Sequence, residues 1–406
     1  MRLRTICLCL FAFCSLLLTG CWDKTELNDV SIATGIAVDP GEEHKYKLTV
    51  EAVNSSQFAK QGAEGNAPVT TFSVEGESLS ELSDKLNLGL VRKVIYSHTR
   101  VVYINQEIAN EGILGFLDFL ERSGHFRNDF NILVTSGEAA DFTRVTYPVQ
   151  KIPSLKIHQQ IKTLVQEWGG DPDVRLNDFI DAIISKGREP VTAMVIIKGD
   201  PEKGKSTENN KMMEPDALVS VNGMAVFDDE KMIGTMSLDD VRNYLWTQSL
   251  PHTSLTIPCD EEKNRRYMDV RIIRSKSKMS TSYEKGHATL KVKIYGEARL
   301  QGAECKHDLS KLDVFQDYEK KLLDHIQSEV TQSIVKVQDE FGLDIYGFGD
   351  ALNRENPKQF KEVEDNWNKV FTDATVEVDV AMQMLRTGIK SKSFMSELPD
   401  EESKEE

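Results

Sequence analysis

The sequence is short of cysteine, of positive charge and of long apolar runs, and each shortage removes a class of protein. Of its six cysteines, Cys7, Cys9 and Cys14 lie in an apolar leader and Cys21 directly follows it, which leaves Cys259 and Cys305. Two cysteines make no disulfide framework. Whether they pair depends on their Cα atoms lying within about 7 Å, which a sequence does not set. The apolar stretch Ile6 to Leu18 is about 13 residues, against the roughly 20 needed to span hydrocarbon. Asp23, Lys24 and Glu26 follow it closely. A permanent spanning helix is therefore not expected.

What the leader does have is order. Arg2 and Arg4 precede the apolar stretch, and Leu18-Thr19-Gly20-Cys21 close it. That is a secretory signal with small residues before a cysteine. It predicts cleavage ahead of Cys21 and a lipid on that cysteine. At about 0.8 kcal/mol per buried methylene, two or more acyl chains hold a protein to a bilayer without further contact.

Removing residues 1–20 takes two arginines and no acid from 49 basic and 65 acidic residues, leaving a net charge of −18 on 386 residues. Such a surface repels phosphate backbones and anionic headgroups, so neither nucleic acid nor a polybasic membrane contact is expected. Partners should be neutral or basic protein surfaces, or small ligands.

Chemistry-bearing patterns are scarce. The eight histidines are scattered, with no His-Glu-x-x-His and no His/Cys cluster, so no metal is expected. His98 and His125 read as surface or core residues. There is no Gly-x-Ser-x-Gly elbow. Asp171-Pro172-Asp173 lacks the later acids and glycine of a calcium loop and reads as a turn before a helix over Leu176 to Ile184. Gly199-Asp200-Pro201-Glu202-Lys203-Gly204-Lys205-Ser206 satisfies the phosphate-loop pattern after an apolar strand, Ala193 to Ile197. A phosphate cradle needs free N–H groups and an amphipathic helix behind it. Here Pro201 removes a donor, Asp200 and Glu202 add negative charge, and Thr207-Glu208-Asn209-Asn210-Lys211 follow. No nucleotide and no cofactor is expected, and no catalytic residue is assigned.

Periodicity gives the architecture. Val30 to Val38 reads as a strand ending at the turn Asp39-Pro40-Gly41, with Tyr46 to Val53 as its hairpin partner and a polar loop, Asn54 to Ala67, behind it. Ser78 to Leu90 carries leucines at helical spacing, with Ser78 and Glu81 placed as a capping box. Strands over Thr99 to Ile104 and Asn131 to Thr135 alternate with a helix over Ile113 to Leu120. Residues 199–215 have the composition of a solvated linker. Leu218 to Phe227 and Met232 to Met236 form a hairpin, and Ser237 opens a helix toward Trp246.

In the last third, Met268 to Arg274, Ala288 to Tyr295 and Thr375 to Met382 read as strands. Between the last two, Tyr318, Leu322, Ile326, Val330, Ile334, Val337 and Phe341 make one stripe of a long helix that stops at Gly342. Lys291 and Lys293 share a strand face, as do Glu377 and Asp379, so the two strands should pair charges if they are neighbours. The expected fold class is α+β: several mixed α/β domains with mainly antiparallel sheets packed against helices, and a C-terminal domain with a long helix on a sheet. The divisions are a leader (1–20), an N-terminal α/β domain (21–198), the linker (199–215), a middle domain (216–265), a C-terminal α+β domain (266–390) and a disordered acidic tail (391–406).

One resemblance runs the length of the chain. Gly20-Cys21-Trp22-Asp23-Lys24-Thr25-Glu26-Leu27-Asn28-Asp29, then Ile32-Ala33-Thr34-Gly35-Ile36-Ala37-Val38-Asp39, resembles the start of the Ger(x)C family, the lipoprotein C subunits of spore germinant receptors. Tyr96-Ser97-His98, Ile108 to Ile113 and Phe126-Arg127-Asn128 follow in the family's order. Val221 to Phe227 with Met232-Ile233-Gly234 is similar to its middle signature. Asp344-Ile345-Tyr346-Gly347-Phe348-Gly349, Asn356-Pro357, Trp367 and Gly388 are similar to its C-terminal pattern. The resemblance implies three mixed α/β domains and a non-enzymatic subunit of a nutrient-sensing complex. It implies integral membrane A and B subunits as partners, and a location on the outer face of the spore inner membrane. Only Cys21 carries over as a functional position. The alternative on the same anchor and size is a solute-binding lipoprotein of an importer, which should show two large lobes around one cleft.

Overall fold

The computed structural model describes residues 29–54, 67–250, 252–260 and 266–385. The leader, Cys21, the body of the 54–67 loop and the acidic tail lie outside the described residues.

Two sheets organise the chain. The first has nine strands: β1 (Val30–Pro40), β2 (Tyr46–Val53), β3 (Val69–Gly76), β4 (Lys93–Ile95), β5 (Val101–Asn105), β6 (Asn131–Thr135), β7 (Val191–Gly199), β8 (Ala217–Asp228) and β9 (Lys231–Met236). Its order is β3-β2-β1-β5-β6-β7-β8-β9, with β4 beside β1. The centre, β1-β5-β6-β7, is parallel, and both flanks are antiparallel. A parallel centre has to be covered on both faces. Val101, Val102, Tyr103 and Ile104 are accordingly all fully buried. On one face Ile36, Val102 and Ile104 pack with Leu79, Leu82, Phe116, Leu120 and Phe179 from the flanking helices. On the other, Val101, Tyr103 and Val195 pack with Phe142, Ile157 and Ile161.

The second sheet, β10 (Thr253–Pro258), β11 (Tyr267–Glu284), β12 (His287–Ala303) and β13 (Thr375–Leu385), is antiparallel except for the parallel pair β12-β13. The helix Leu312–Glu340 lies on it, and the predicted stripe from Tyr318 to Val337 meets Leu290, Val292 and Ile294 in one core. The helix ends where Gly342 takes a left-handed φ of 65°. On the wet face β12 and β13 are neighbours, with Lys291 opposite Glu377 and Lys293 opposite Asp379. Lys291 Nζ lies 3.0 Å from the Glu377 carboxylate.

Three expectations differ from the structure. Residues 199–215 hold a helical turn, Pro201–Gly204, and a 3₁₀ turn, Thr207–Lys211, and they join β7 to β8, which are neighbours in one sheet. The Asn209 amide is buried there and donates to the Thr146 and Ala217 carbonyls at 2.8 and 3.0 Å, which holds a polar segment against the fold. Residues 216–265 divide between the sheets, since β8 and β9 extend the first and β10 edges the second. Ser78 does precede a helix, Leu79–Lys85, but its hydroxyl caps nothing, whereas Ser237 forms a full capping box with Asp240.

Candidate functional site

The residue singled out by sequence, Cys21, lies nine positions before Val30, where β1 begins in the parallel centre of the first sheet. An extended chain gains at most about 3.3–3.6 Å per residue, so a lipid on Cys21 would hold this end of the sheet within about 30 Å of a membrane.

The other residues of interest meet where the two sheets join. Asp344 is fully buried at the foot of the long helix. Its Oδ1 accepts from the Tyr346 and Gly347 N–H groups at 3.0 and 2.9 Å, and its Oδ2 accepts from Gly349 N–H and the Trp367 indole, both at 2.8 Å. Burial pushes this carboxyl up to about 7, against the pull of those four donors. The Asp344 carbonyl accepts from Glu189 N–H at 2.8 Å, and the Gly187 carbonyl accepts from Asp350 N–H at 3.2 Å. Backbone packs on backbone here: a Cβ on Gly187 would sit 2.4 Å from Asp350 N, and one on Gly349 would sit 2.6 Å from Gly187 Cα. Glu189 completes the joint, accepting from Asn368 at 2.8 Å and from Asp229 N–H at 3.0 Å.

A second set of ties lies along the same junction. Arg271 donates to the Glu167 carbonyl and to its carboxylate, both at 2.7 Å, and Thr253 Oγ1 donates to the Trp168 carbonyl at 2.8 Å. Lys336 of the long helix reaches Asp240 at 2.8 Å, which helps hold that carboxyl below its usual range against burial. Cys259 and Cys305, left open by the sequence, form a disulfide with Cα atoms 6.3 Å apart. It ties the segment after β10 to the segment after β12.

The first sheet has buried carboxyls of its own. Glu51 accepts from Ser154 N–H at 3.2 Å and Ser154 Oγ at 2.8 Å, with Thr34 on its other oxygen. Burial pushes it up to about 7. Asp39 receives the Ala139 and Ala140 N–H groups and the Asn105 amide at 2.6, 2.9 and 2.9 Å. These partners are donors from the protein's own framework, and the groups serve packing rather than a substrate.

The phosphate-loop pattern is used structurally. Asp200 accepts from Glu202 N–H at 3.0 Å, and Lys205 is held by Asp141 at 2.9 Å and Glu202 at 2.6 Å. The lysine thus faces carboxylates where a phosphate would need it free. His98 is exposed beside Ser97, and His125 is exposed with its ring 6.5 Å from Tyr96. Among the described residues no group of three or more His, Cys, Asp or Glu is placed to hold a metal. A surface depression of about 640 Å³ is lined by Lys45, Glu77, Asp84, Asp118, Arg122 and His125 among others, with Arg122 already paired to Asp118.

The sequence reading found the Asp344–Gly349 segment as a pattern of turns and missed the carboxylate that organises it, together with Gly187 and Glu189. An aspartate with glycines three and five positions on, as Asp344 has in Gly347 and Gly349, is the signal of a side chain that can collect nearby N–H groups.

Two family models match in series: the spore germination protein N-terminal domain over residues 23–197, and the spore germination B3/GerAC-like C-terminal domain over residues 222–388. Spore germination protein KC of Bacillus subtilis (strain 168) is 27% identical over 97% of this chain and 99% of its own length. Spore germination protein B3 of the same organism is 21% identical over 94% of this chain and 97% of its own. The crystal structure of the GerBC protein superposes with a TM-score of 0.52 at 16% identity, covering 89% of this chain and all of that one. The paired models, covering both sheets and the junction between them, show that the chain belongs to the Ger(x)C family of spore germination proteins.

Proposed function

We propose that this chain is a lipid-anchored, non-enzymatic subunit of a nutrient germinant receptor, required for spores to germinate in response to nutrients. The observation that carries the reading is the serial match of both family models directly behind a signal that ends in Gly20-Cys21. Its partners are integral membrane A and B subunits, and its place is the outer face of the cell membrane that becomes the spore inner membrane. No described helix is long and apolar enough to cross a membrane, so attachment falls to the lipid on Cys21.

The anchor also supplies a mechanism. Confinement near the bilayer raises the effective concentration of the two sheets at the integral subunits, so docking needs little intrinsic affinity. The solute-binding alternative calls for two lobes that open around a cleft. Backbone bonds such as Glu189 to Asp344 and Asp350 to Gly187 instead tie the segment ahead of β7 directly to the segment behind the long helix. Deleting this gene alone should abolish germination on particular nutrients and leave a non-nutrient trigger working. Normal germination with impaired uptake of one solute would favour the transport reading.

A further inference from the structure

The loop between the Leu86–Leu88 3₁₀ turn and β4 presents apolar side chains to solvent next to the anchored end of the chain. Leu88 is 85% exposed and Val91 fully exposed, and Arg92 and Lys93 beside them are exposed as well. Their neighbours are fixed: Leu86 is buried in the core, Gly89 lies with its backbone against the Phe72 ring, and Asn87 Oδ1 accepts from Val94 N–H at 3.2 Å. That last bond closes the loop at its base, so residues 88–93 protrude from a defined point. The point is set by β4, which runs parallel to the first residues of β1, with Lys93 opposite Val30 and Val94 opposite Ser31.

The position matters because Val30 is nine residues from Cys21. On a surface with a mature net charge of −18, this loop carries two bases and no acid between Leu88 and Lys93. Apolar tips flanked by long basic side chains suit a bilayer interface, where the tips enter the acyl boundary and the cations stay with anionic headgroups. We propose that the 88–93 loop is a second, shallow membrane contact that works with the lipid to fix how the first sheet stands on the bilayer. The inference rests on the anchor at Cys21. It also departs from the expectation of no polybasic membrane contact, which was drawn from net charge and so averages away a local basic loop.

An internal control exists. Met213 is also fully exposed, but it lies between the end of β7 and the start of β8. That is the opposite end of the parallel strands from Val30, roughly 30–40 Å away along the strand direction. The test uses the full lipidated chain in vesicles containing anionic phospholipid, with an environment-sensitive fluorophore on Val91→Cys or Met213→Cys. Cys259 and Cys305 are bonded and Cys21 is acylated, so the introduced thiol is the one that labels. The label at 91 should shift to the blue and be quenched by brominated acyl chains, the label at 213 should do neither, and Leu88→Asp should lessen both effects at 91. Protein that floats with the vesicles while the label at 91 stays water-like overturns the contact and spares the anchor. The same holds if the label becomes dry only when the integral subunits are present, since the loop then meets protein. Protein that does not float overturns the anchor and this inference with it.

Discussion

Replacing Asp344 by Asn tests the idea that one buried carboxylate organises the joint between the sheets. Asn keeps one acceptor oxygen, which can serve the Tyr346 and Gly347 N–H groups, and puts an NH₂ where Gly349 N–H and the Trp367 indole now donate at 2.8 Å. Two buried donors then lack an acceptor, at about 1–3 kcal/mol each, or about 2–6 kcal/mol together. Removing a buried charge offsets part of this, because desolvation already disfavours the ionised form of Asp344. The expected net loss is therefore smaller than that gross figure, about 1–4 kcal/mol. Urea unfolding of a lipid-free Cys21→Ser form, followed by tryptophan emission, measures it, since Trp367 is one of four tryptophans and sits in the joint. If Asp344→Asn does not fold, Trp367→Phe serves instead: it removes one donor, and its loss should couple to that of a second variant at 344 by about 0.5–3 kcal/mol. A loss below about 0.5 kcal/mol, the range of ordinary surface changes, would refute the reasoning.

Two further outcomes follow from the same structure. Lys291→Glu places like charges opposite each other on β12 and β13 and should cost about 0.2–1 kcal/mol, recovered by Glu377→Lys in the double variant; no loss or no recovery removes the cross-strand pair from the account. Burial pushes Glu51, Asp171 and Asp344 each up to about 7 from ordinary values of 4.5, 3.8 and 3.8. The folded protein thus holds these protons more tightly than the unfolded chain. Their contribution is whole below about pH 4 and is lost as pH rises to about 7, so the urea midpoint should fall across that range and level off above it. Lys156, pulled down to about 8 by burial, works in the opposite sense, but above that window. A flat or rising midpoint contradicts the burial of these carboxyls.

Most of the element order was legible, because the core uses simple periods. The stripe from Tyr318 to Val337 and the alternation Leu290, Val292, Ile294 can be read directly, and they meet as read. Strand ends were less legible. β11 and β12 run to 18 and 17 residues, well past their regular apolar alternation, because strands pair through their backbone whatever the side chains, with register shifts near Val270 and Arg274. Residues 199–215 look like linker by composition, yet the buried Asn209 amide bonds Thr146 and Ala217, and Thr146 Oγ1 donates to the Ser206 carbonyl at 2.9 Å. Composition counts residues and cannot weigh one of them. The disulfide was beyond reach for a related reason, since Cys259 and Cys305 lie 46 positions apart and meet through the pairing of β11 with β10 on one side and β12 on the other. Cys21 lies outside the described residues and stays an expectation of the sequence, whereas the Asp344 joint needs Gly187 and Glu189 from more than 150 residues earlier.

The central claim is that lipid on Cys21 places this subunit where the receptor needs it. The direct measurement is complementation of the gene deletion with Cys21→Ala, scoring membrane fractionation of the protein together with nutrient germination. The account predicts loss from the membrane fraction and weak nutrient germination with the non-nutrient response intact, and a Cys21→Ala protein that stays on the membrane and germinates normally contradicts it.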